Sequence, residues 1–380
     1  MPDDNDVGGR TATAPATGDV FGHAGTEGFE QVVFCSHPPS GLRAIIAIHS
    51  TALGPALGGT RFHPYRSEAE AVTDVCRLAR GMTYKHAVSG LDCGGGKAVI
   101  LGDPATLRSE ALVRAYGRFV DGLAGRYLTA EDVGTTQADM DLIRRETPHV
   151  TGVSESLGGS GDPSPATAWG LLHAMRTVAE QVWGSASLEG RHVVVSGVGK
   201  VGRVLCDHLA EAGARLTVAD VVPAAAKAAA AAVGAQIVEP DEAAQVECDI
   251  FAPCALGAVL SERTVPKLRC AAVCGSANNQ LATPADGRRL AEMGVLYAPD
   301  YVVNAGGVIN IAEERSGTGY DHDRAWARIA AIAGNLRRVL DVAARDGIPP
   351  ADAADRVAEE RIASMASVRR IRTSNRETGH

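Results

Sequence analysis

The sequence has no Cys-x-x-Cys pair among its eight cysteines, at 35, 76, 93, 206, 248, 254, 270 and 274, and no histidine at metal-ligand spacing beside them. That gives neither a zinc site nor a disulfide framework, so no metal and reduced thiols in the cytoplasm are expected. Nor is there an apolar stretch near the roughly 20 residues that span a bilayer. The run Ala224–Val233 is short and is interrupted by Lys227, which excludes membrane insertion. Basic residues do not cluster either, apart from Arg369-Arg370-Ile371-Arg372, and the formal net charge is -8. A nucleic-acid partner is therefore not expected. Residues 1–28, rich in Gly, Thr, Ala and Asp, have neither the apolar run of a signal peptide nor the Arg-rich pattern of a transit sequence. They read as a disordered tail.

What is present is an ordinary α/β composition, 45% hydrophobic and 22% charged, over 380 residues. That length exceeds the usual ceiling for one core, so two domains are expected. The apolar runs Gln31–Cys35 and Leu42–Ile48, split by Pro38-Pro39-Ser40-Gly41, read as a hairpin. Ser67 and Glu70 form a capping box for a helix whose apolar positions are Val72, Val75, Cys76, Leu78, Ala79 and Met82. Lys85 falls at its C-terminal end on the face of Met82, beside apolar packing. Val99–Leu101 closes a strand, and Tyr127–Ala130 is a second one that delivers Glu131-Asp132 to its end. The stretch Leu157–Pro165, poor in residues that pack, marks a domain boundary. Strands and helices then alternate, which implies a parallel sheet, and residues 325–344 and 351–365 read as helical. The expected fold is two-domain α/β with a cleft between the domains. Residues 29–150, joined by C-terminal helices in 346–380, would form a substrate domain, and 151–345 a Rossmann-type domain.

The fingerprint Gly197-Val198-Gly199-Lys200-Val201-Gly202 follows the apolar strand His192–Ser196 and opens a helix, and Asp220 ends the next strand. Its glycines permit the turn and the close approach of a pyrophosphate at a helix N-terminus. Asp220 can accept both ribose hydroxyls and would repel a 2′-phosphate, while Val221-Val222 supply no cation, so NAD is expected rather than NADP. Lys85 and Lys97 flank a segment ending in Gly94-Gly95-Gly96. The triplet removes every Cβ that would keep a ligand from the backbone. Two ammonium groups in one cleft repel, and burial adds to the effect, which brings a lysine toward use as a base. Asp132, at a strand end over the open edge of a sheet, is a further catalytic candidate.

With these residues in view the chain resembles the amino-acid dehydrogenase family acting on glutamate, leucine, phenylalanine and valine, in particular its bacterial leucine and valine branch. The resemblance rests on Gly54–Arg61, Gly81–Lys85, Gly94–Lys97, Ala130–Thr135, Ala252–Gly257 and Asn304–Val308. It implies that Lys85 binds the substrate carboxylate, Lys97 activates a water and Asp132 handles the proton moving to and from the substrate nitrogen. Gly58, Met82 and Asn304 would join Lys85 around the substrate. Thr167, the fingerprint residues, Asp220, Cys254, Ala255 and Asn279 would contact the cofactor. The side-chain pocket would be Leu57, Ala130, Val308 and Ile311, where glutamate-specific relatives place a lysine and a serine at the positions of Leu57 and Ile311.

Without a cation such a pocket could not compensate a buried γ-carboxylate, at a cost of several kcal/mol. A branched aliphatic side chain would gain roughly 1.5–3 kcal/mol there. The activity expected is NAD-dependent, reversible oxidative deamination of valine, leucine or isoleucine to a 2-oxo acid, ammonium and NADH, by a homo-oligomer. A phenylalanine-type dehydrogenase of the same family and a catalytically silent NAD-binding regulatory protein are the competing readings.

Overall fold

The computed structural model describes residues 27–255 and 257–368. Most of the expected tail, Leu256 of the Ala252–Gly257 turn, the Arg369–Arg372 cluster and the end of the C-terminal helical region lie outside the described residues.

Five strands build the first sheet: β1 (Gln31–His37), β2 (Leu42–Ser50), β3 (Ala56–His63), β4 (Gly94–Leu101) and β5 (Tyr127–Glu131), in the order β1-β2-β4-β3-β5. The expected hairpin is there: β1 and β2 pair antiparallel, and Gly41 at φ 73 closes their connection. β2 is also antiparallel to β4, whereas β4, β3 and β5 run parallel. That arrangement needs helical crossovers, supplied first by α1 (Glu68–Val88) and then by α2 (Pro104–Leu107) and α3 (Glu110–Asp121). Ser67 caps α1 by accepting the Glu70 N–H. The Glu70 carboxylate, however, takes the N–H of Arg66 rather than that of Ser67, so only half of the expected capping box forms. A fourth helix, α4 (Gln137–Arg144), has both halves of its box, from Thr136 and Asp139.

Strand alternation sorts the sheet residues into two faces. Cys35, Ala44, Ile46, Ile48, Phe62, Ala98 and Ile100 pack with Leu112, Tyr116 and Val120 of α3 and Met140 and Ile143 of α4. Ile45, Ala47 and Val99 pack on the opposite face with Ala71, Val75, Cys76 and Ala79 of α1. Register places Leu57, Gly59, Arg61, Gly95, Lys97 and Ala130 on that second face.

α5 (Ser164–Trp183) leads into the second sheet. Its strands are β6 (His192–Ser196), β7 (Arg215–Ala219), β8 (Gln236–Ile237), β9 (Cys248–Pro253), β10 (Cys270–Val273) and β11 (Leu296–Tyr297), all parallel, in the order β11-β10-β9-β6-β7-β8. This is the strand order of a doubly wound dinucleotide-binding fold, and its direction reverses between β6 and β9, where ligands of such sheets sit. Helices α6 (Lys200–Glu211), α7 (Pro223–Val233) and α8 (Pro284–Glu292) alternate with the strands. α9 (Asp300–Val303), α10 (Gly306–Glu313), α11 (His322–Ala330), α12 (Ile332–Asp346) and α13 (Pro350–Val368) complete the described chain. The helix expected over 325–344 is thus two helices meeting at Ala331.

One apolar cluster joins the two sheets: Leu57, Val88, Leu91 and Leu128 from the first unit with Leu171, Val308, Ile309 and Ile332. The connecting stretch is also better packed than its composition suggests. Gly159, Ser160 and Gly161 are buried, because the Glu314 carboxylate accepts the N–H groups of Gly152 and Ser160 and the Ser160 hydroxyl.

Candidate active site

Lys97 stands in the middle of β4, only 6% exposed, paired in register with Ala47. Its Nζ lies 3.1 Å from Oδ2 of Asp132, the first residue past β5. The backbone of Asp132 is fixed by Thr135, whose hydroxyl accepts the Asp132 N–H and donates to the Thr60 carbonyl. Burial pushes the Asp132 carboxyl up, but Lys97 and Arg61 outweigh it and hold the group below the ordinary carboxylate range. Lys85, in the last turn of α1, completes the cluster. Burial pushes its ammonium down to about 8; Asp300 opposes this, Lys97 adds to it, and Asp132 opposes it. A lowering of the kind expected in a crowded lysine pair is present at Lys85, the member carried by the helix.

The glycine triplet acts differently from the expectation. Gly94–Gly96 belong to β4, which starts five residues before the expected strand. A Cβ on Gly95 would lie 2.0 Å from Thr83 Oγ1 and 2.2 Å from Thr83 N; one on Gly94 would lie 2.0 Å from Ser50 O, and one on Gly96 2.7 Å from the Tyr127 ring. Protein fills each direction, so the triplet leaves no ligand approach there. It lets α1 lie directly on the strand, which brings Lys85 over Lys97. Gly58 has a similar part: a Cβ there would lie 1.7 Å from Gly96 O, and its carbonyl accepts the Tyr127 hydroxyl at 2.6 Å.

At the second sheet, Gly197 follows β6 at φ 103, and a Cβ there would meet Ala255 at 2.6 Å. Gly202 packs on Gly197 O, where a Cβ would approach to 2.0 Å. Gly199 caps α6 without a side-chain bond, and the space beside it is open. This is a glycine turn opening a helix N-terminus with open space beside Gly199, lying next to the turn that carries Cys254 and Ala255, and it fits a pyrophosphate. Lys200 is exposed, Val201 half-buried and Val198 buried. Asp220 sits just past β7, where its Oδ2 accepts the Val198 N–H and its Oδ1 the Val222 N–H, both at 2.8 Å. Asn279 is exposed at φ 53. Thr167, on α5, is packed against Gly307. Among the described residues no group of three or more His, Cys, Asp or Glu could hold a metal.

The sequence model described as Glu/Leu/Phe/Val dehydrogenase, dimerisation domain, matches residues 29–149, and that described as Glutamate/Leucine/Phenylalanine/Valine dehydrogenase matches residues 158–224 and 218–370. The chain belongs to this dehydrogenase family. It is an oxidoreductase that acts on the CH–NH2 group of amino acids. This dehydrogenase is 53% identical over 362 residues to a leucine dehydrogenase of Geobacillus stearothermophilus, covering 95% of this chain and 97% of the relative. It is 52% identical over 350 residues to a valine dehydrogenase of Streptomyces albus, covering 91% and 96%. Among solved structures, that of L-tryptophan dehydrogenase from Nostoc punctiforme matches with a TM-score of 0.79 and 42% identity, covering 90% of this chain and 97% of the other.

In the dehydrogenase, Leu57 and Val308 share one buried apolar cluster, with Met82 and Ile311 packed against it. Ala130, 3% exposed, lies on the same sheet face as Leu57. Asn304, 6% exposed, donates from Nδ2 to Ser276 O and to Asn278 Oδ1, whereas its buried Oδ1 has no partner among the described residues. A buried acceptor without a donor is costly and suits a ligand N–H. Sequence reasoning gave no role to Arg61, Asp300 or Asn278, which contact or face these groups. A charged residue four positions after Leu57 on a buried strand was a usable sign for Arg61. Asp300 and Asn278 enter through tertiary contact alone.

Proposed function

We propose that the protein catalyses the NAD-dependent, reversible oxidative deamination of valine, leucine and isoleucine to 2-oxo acids, with release of ammonium. One observation carries this reading: Lys97, ion-paired with Asp132 and electrostatically coupled to Lys85, shares a sheet face with Leu57 and Ala130, and Met82, Val308 and Ile311 pack with Leu57, all five being apolar. Lys85 pairs with the substrate carboxylate, and the free Asn304 Oδ1 accepts from the substrate nitrogen. Asp132 Oδ2 is occupied by Lys97 and Arg61, which leaves Oδ1 to take an ammonium proton. Lys97, beside it, polarises the water that adds to the resulting iminium, and collapse of the adduct gives the 2-oxo acid and ammonium. Thr167, Gly197–Gly202, Asp220, Cys254, Ala255 and Asn279 would hold NAD, which when bound supplies the acceptor for the Cα hydride.

In the same proposal, residues 29–150 with the C-terminal helices form the substrate domain and 151–345 the cofactor domain. The chain works as a homo-oligomer, supported by the dimerisation-domain match. It works in the cytoplasm, supported by eight free cysteines. The test is NADH formation with leucine, valine, isoleucine, phenylalanine, tryptophan and glutamate under matched conditions. Branched substrates are expected to exceed glutamate in kcat/KM by at least about 10³-fold, the several kcal/mol of an uncompensated carboxylate. A higher kcat/KM for either aromatic substrate, or for glutamate, would overturn the branched-chain assignment.

A further inference from the structure

Arg61 is the second cation on Asp132, and it also reaches α1. Its Nε donates to Asp132 Oδ2 at 3.1 Å and its Nη1 to Asp74 Oδ2 at 2.9 Å, with the side chain 23% exposed. Asp74 belongs to α1 and is itself committed: Oδ2 also accepts the Tyr65 hydroxyl at 2.7 Å, and Oδ1 accepts Arg77 Nη2 at 3.0 Å. The guanidinium therefore ties the residue after β5 to the helix that carries Lys85. Its planar fork is rigid, so two bonds to carboxylates on different elements fix their separation in a way a single ammonium cannot.

We propose that Arg61 is a positioning residue of the deamination reaction, holding Oδ2 of Asp132 so that Oδ1 faces the substrate nitrogen. The proposal rests on the proton-handling role given to Asp132 above. Two cations share one oxygen, and loss of Arg61 leaves Lys97 alone to hold it, so the carboxylate is less firmly fixed against rotation. The charged and titratable groups facing Asp132 are Lys97 from β4, Arg61 from β3, Lys85 from α1, and Tyr127 and Glu131 from β5. Removing the Arg61 charge removes one of the two influences that keep Asp132 ionised in a buried place, so its protonation moves to higher pH.

The experiment uses the full-length enzyme and follows kcat/KM for leucine against pH, with NADH affinity measured by fluorescence as a check of folding. In Arg61→Gln the acid limb is expected to move up by about one pH unit or more, and kcat to fall about 10- to 100-fold, with NADH affinity kept. Arg61→Lys should restore the limb to its parental position and recover part of kcat. Adding Arg61→Gln to Asp132→Asn should cost little beyond Asp132→Asn alone, whereas a merely structural arginine would add its own full loss. An unmoved acid limb in Arg61→Gln, or full additivity in the double variant, overturns the proposal. Should Arg61→Gln fail to hold NADH, Arg61→Lys decides: a kcat lowered at least threefold at an unmoved limb supports the clamp, and a parental kcat overturns it. Asp132→Asn with parental turnover would instead sink the role of Asp132 itself.

Discussion

Lys85 shows how one side chain is tuned by its neighbours. Its ammonium is desolvated and faces Lys97, yet Asp300 and Asp132 lie close enough to keep it charged to about 8. A carboxylate arriving at Lys85 adds a third negative partner, which favours the charged form and raises the value again. Above pH 8, where free Lys85 has partly lost its proton, binding of 4-methylpentanoate should therefore take up a proton, and affinity should weaken by up to about tenfold per pH unit. Calorimetric titration at pH 8.5 in two buffers of different ionisation enthalpy reads that uptake directly. Lys85→Met should bind weakly with no proton exchange; the same uptake in that variant would assign the titration to another group.

At the scale of elements, the site depends on how closely α1 can lie on β4. Gly95 sets that distance, since a methyl there would overlap both the hydroxyl and the backbone nitrogen of Thr83, and a backbone cannot yield locally. Gly95→Ala should lower stability by about 1–3 kcal/mol, as overpacking does, read as a lower midpoint in urea. It should also raise KM for leucine, because Lys85 is carried outward with the helix. An unchanged midpoint would show that the two elements have slack.

The same contact shows what the sequence could and could not reveal. Apolar periodicity and a cap announced α1, and the Val193–Val195 run followed by glycines announced β6 and α6, because local backbone preference determines those features. The face Gly95 presents to α1 is a long-range property. A glycine triplet reads alike whether it admits a ligand or a helix, so Lys85 and Lys97 stood out in the sequence while the packing reason for the glycines did not. Asp132 and Lys97 are 35 positions apart, and their 3.1 Å contact follows from the parallel order β4-β3-β5, to which local pattern is blind. Arg61 went without a role for the same reason, its partners being Asp74 on α1 and Asp132 beyond β5. Ser160 looked like part of an open linker because its tie to Glu314 spans more than 150 residues.

Across the whole molecule, the end of the described chain returns to its beginning. α13 lies against α1, with Ala358 in a small cluster with Leu53 and Ala87, and Tyr84 donating to Glu359. Arg361 is the centre of that contact. Its Nη1 donates to the carbonyls of His86, Ala87 and Leu91, and its Nη2 to Asp92 at 2.9 Å. These carbonyls belong to the last turn of α1 and the residues after it, where a cation is favoured; those of His86 and Ala87 also accept the N–H groups of Leu91 and Gly90. The C-terminal helix thus caps the helix that presents Lys85, which ties the placement of that lysine to a segment more than 250 residues away. Arg361→Ala removes the charged donor shared by these carbonyls and its pairing with Asp92, and should cost about 1–2 kcal/mol in urea unfolding. It should raise KM for leucine severalfold through a frayed α1 end while NADH affinity stays within about twofold, since the glycine cradle lies on the other sheet. Arg361→Lys, a single ammonium that cannot serve all of these acceptors, should recover only part of either loss. Equal damage to NADH and leucine binding would mean that α13 supports the whole fold and not the lysine-bearing helix in particular.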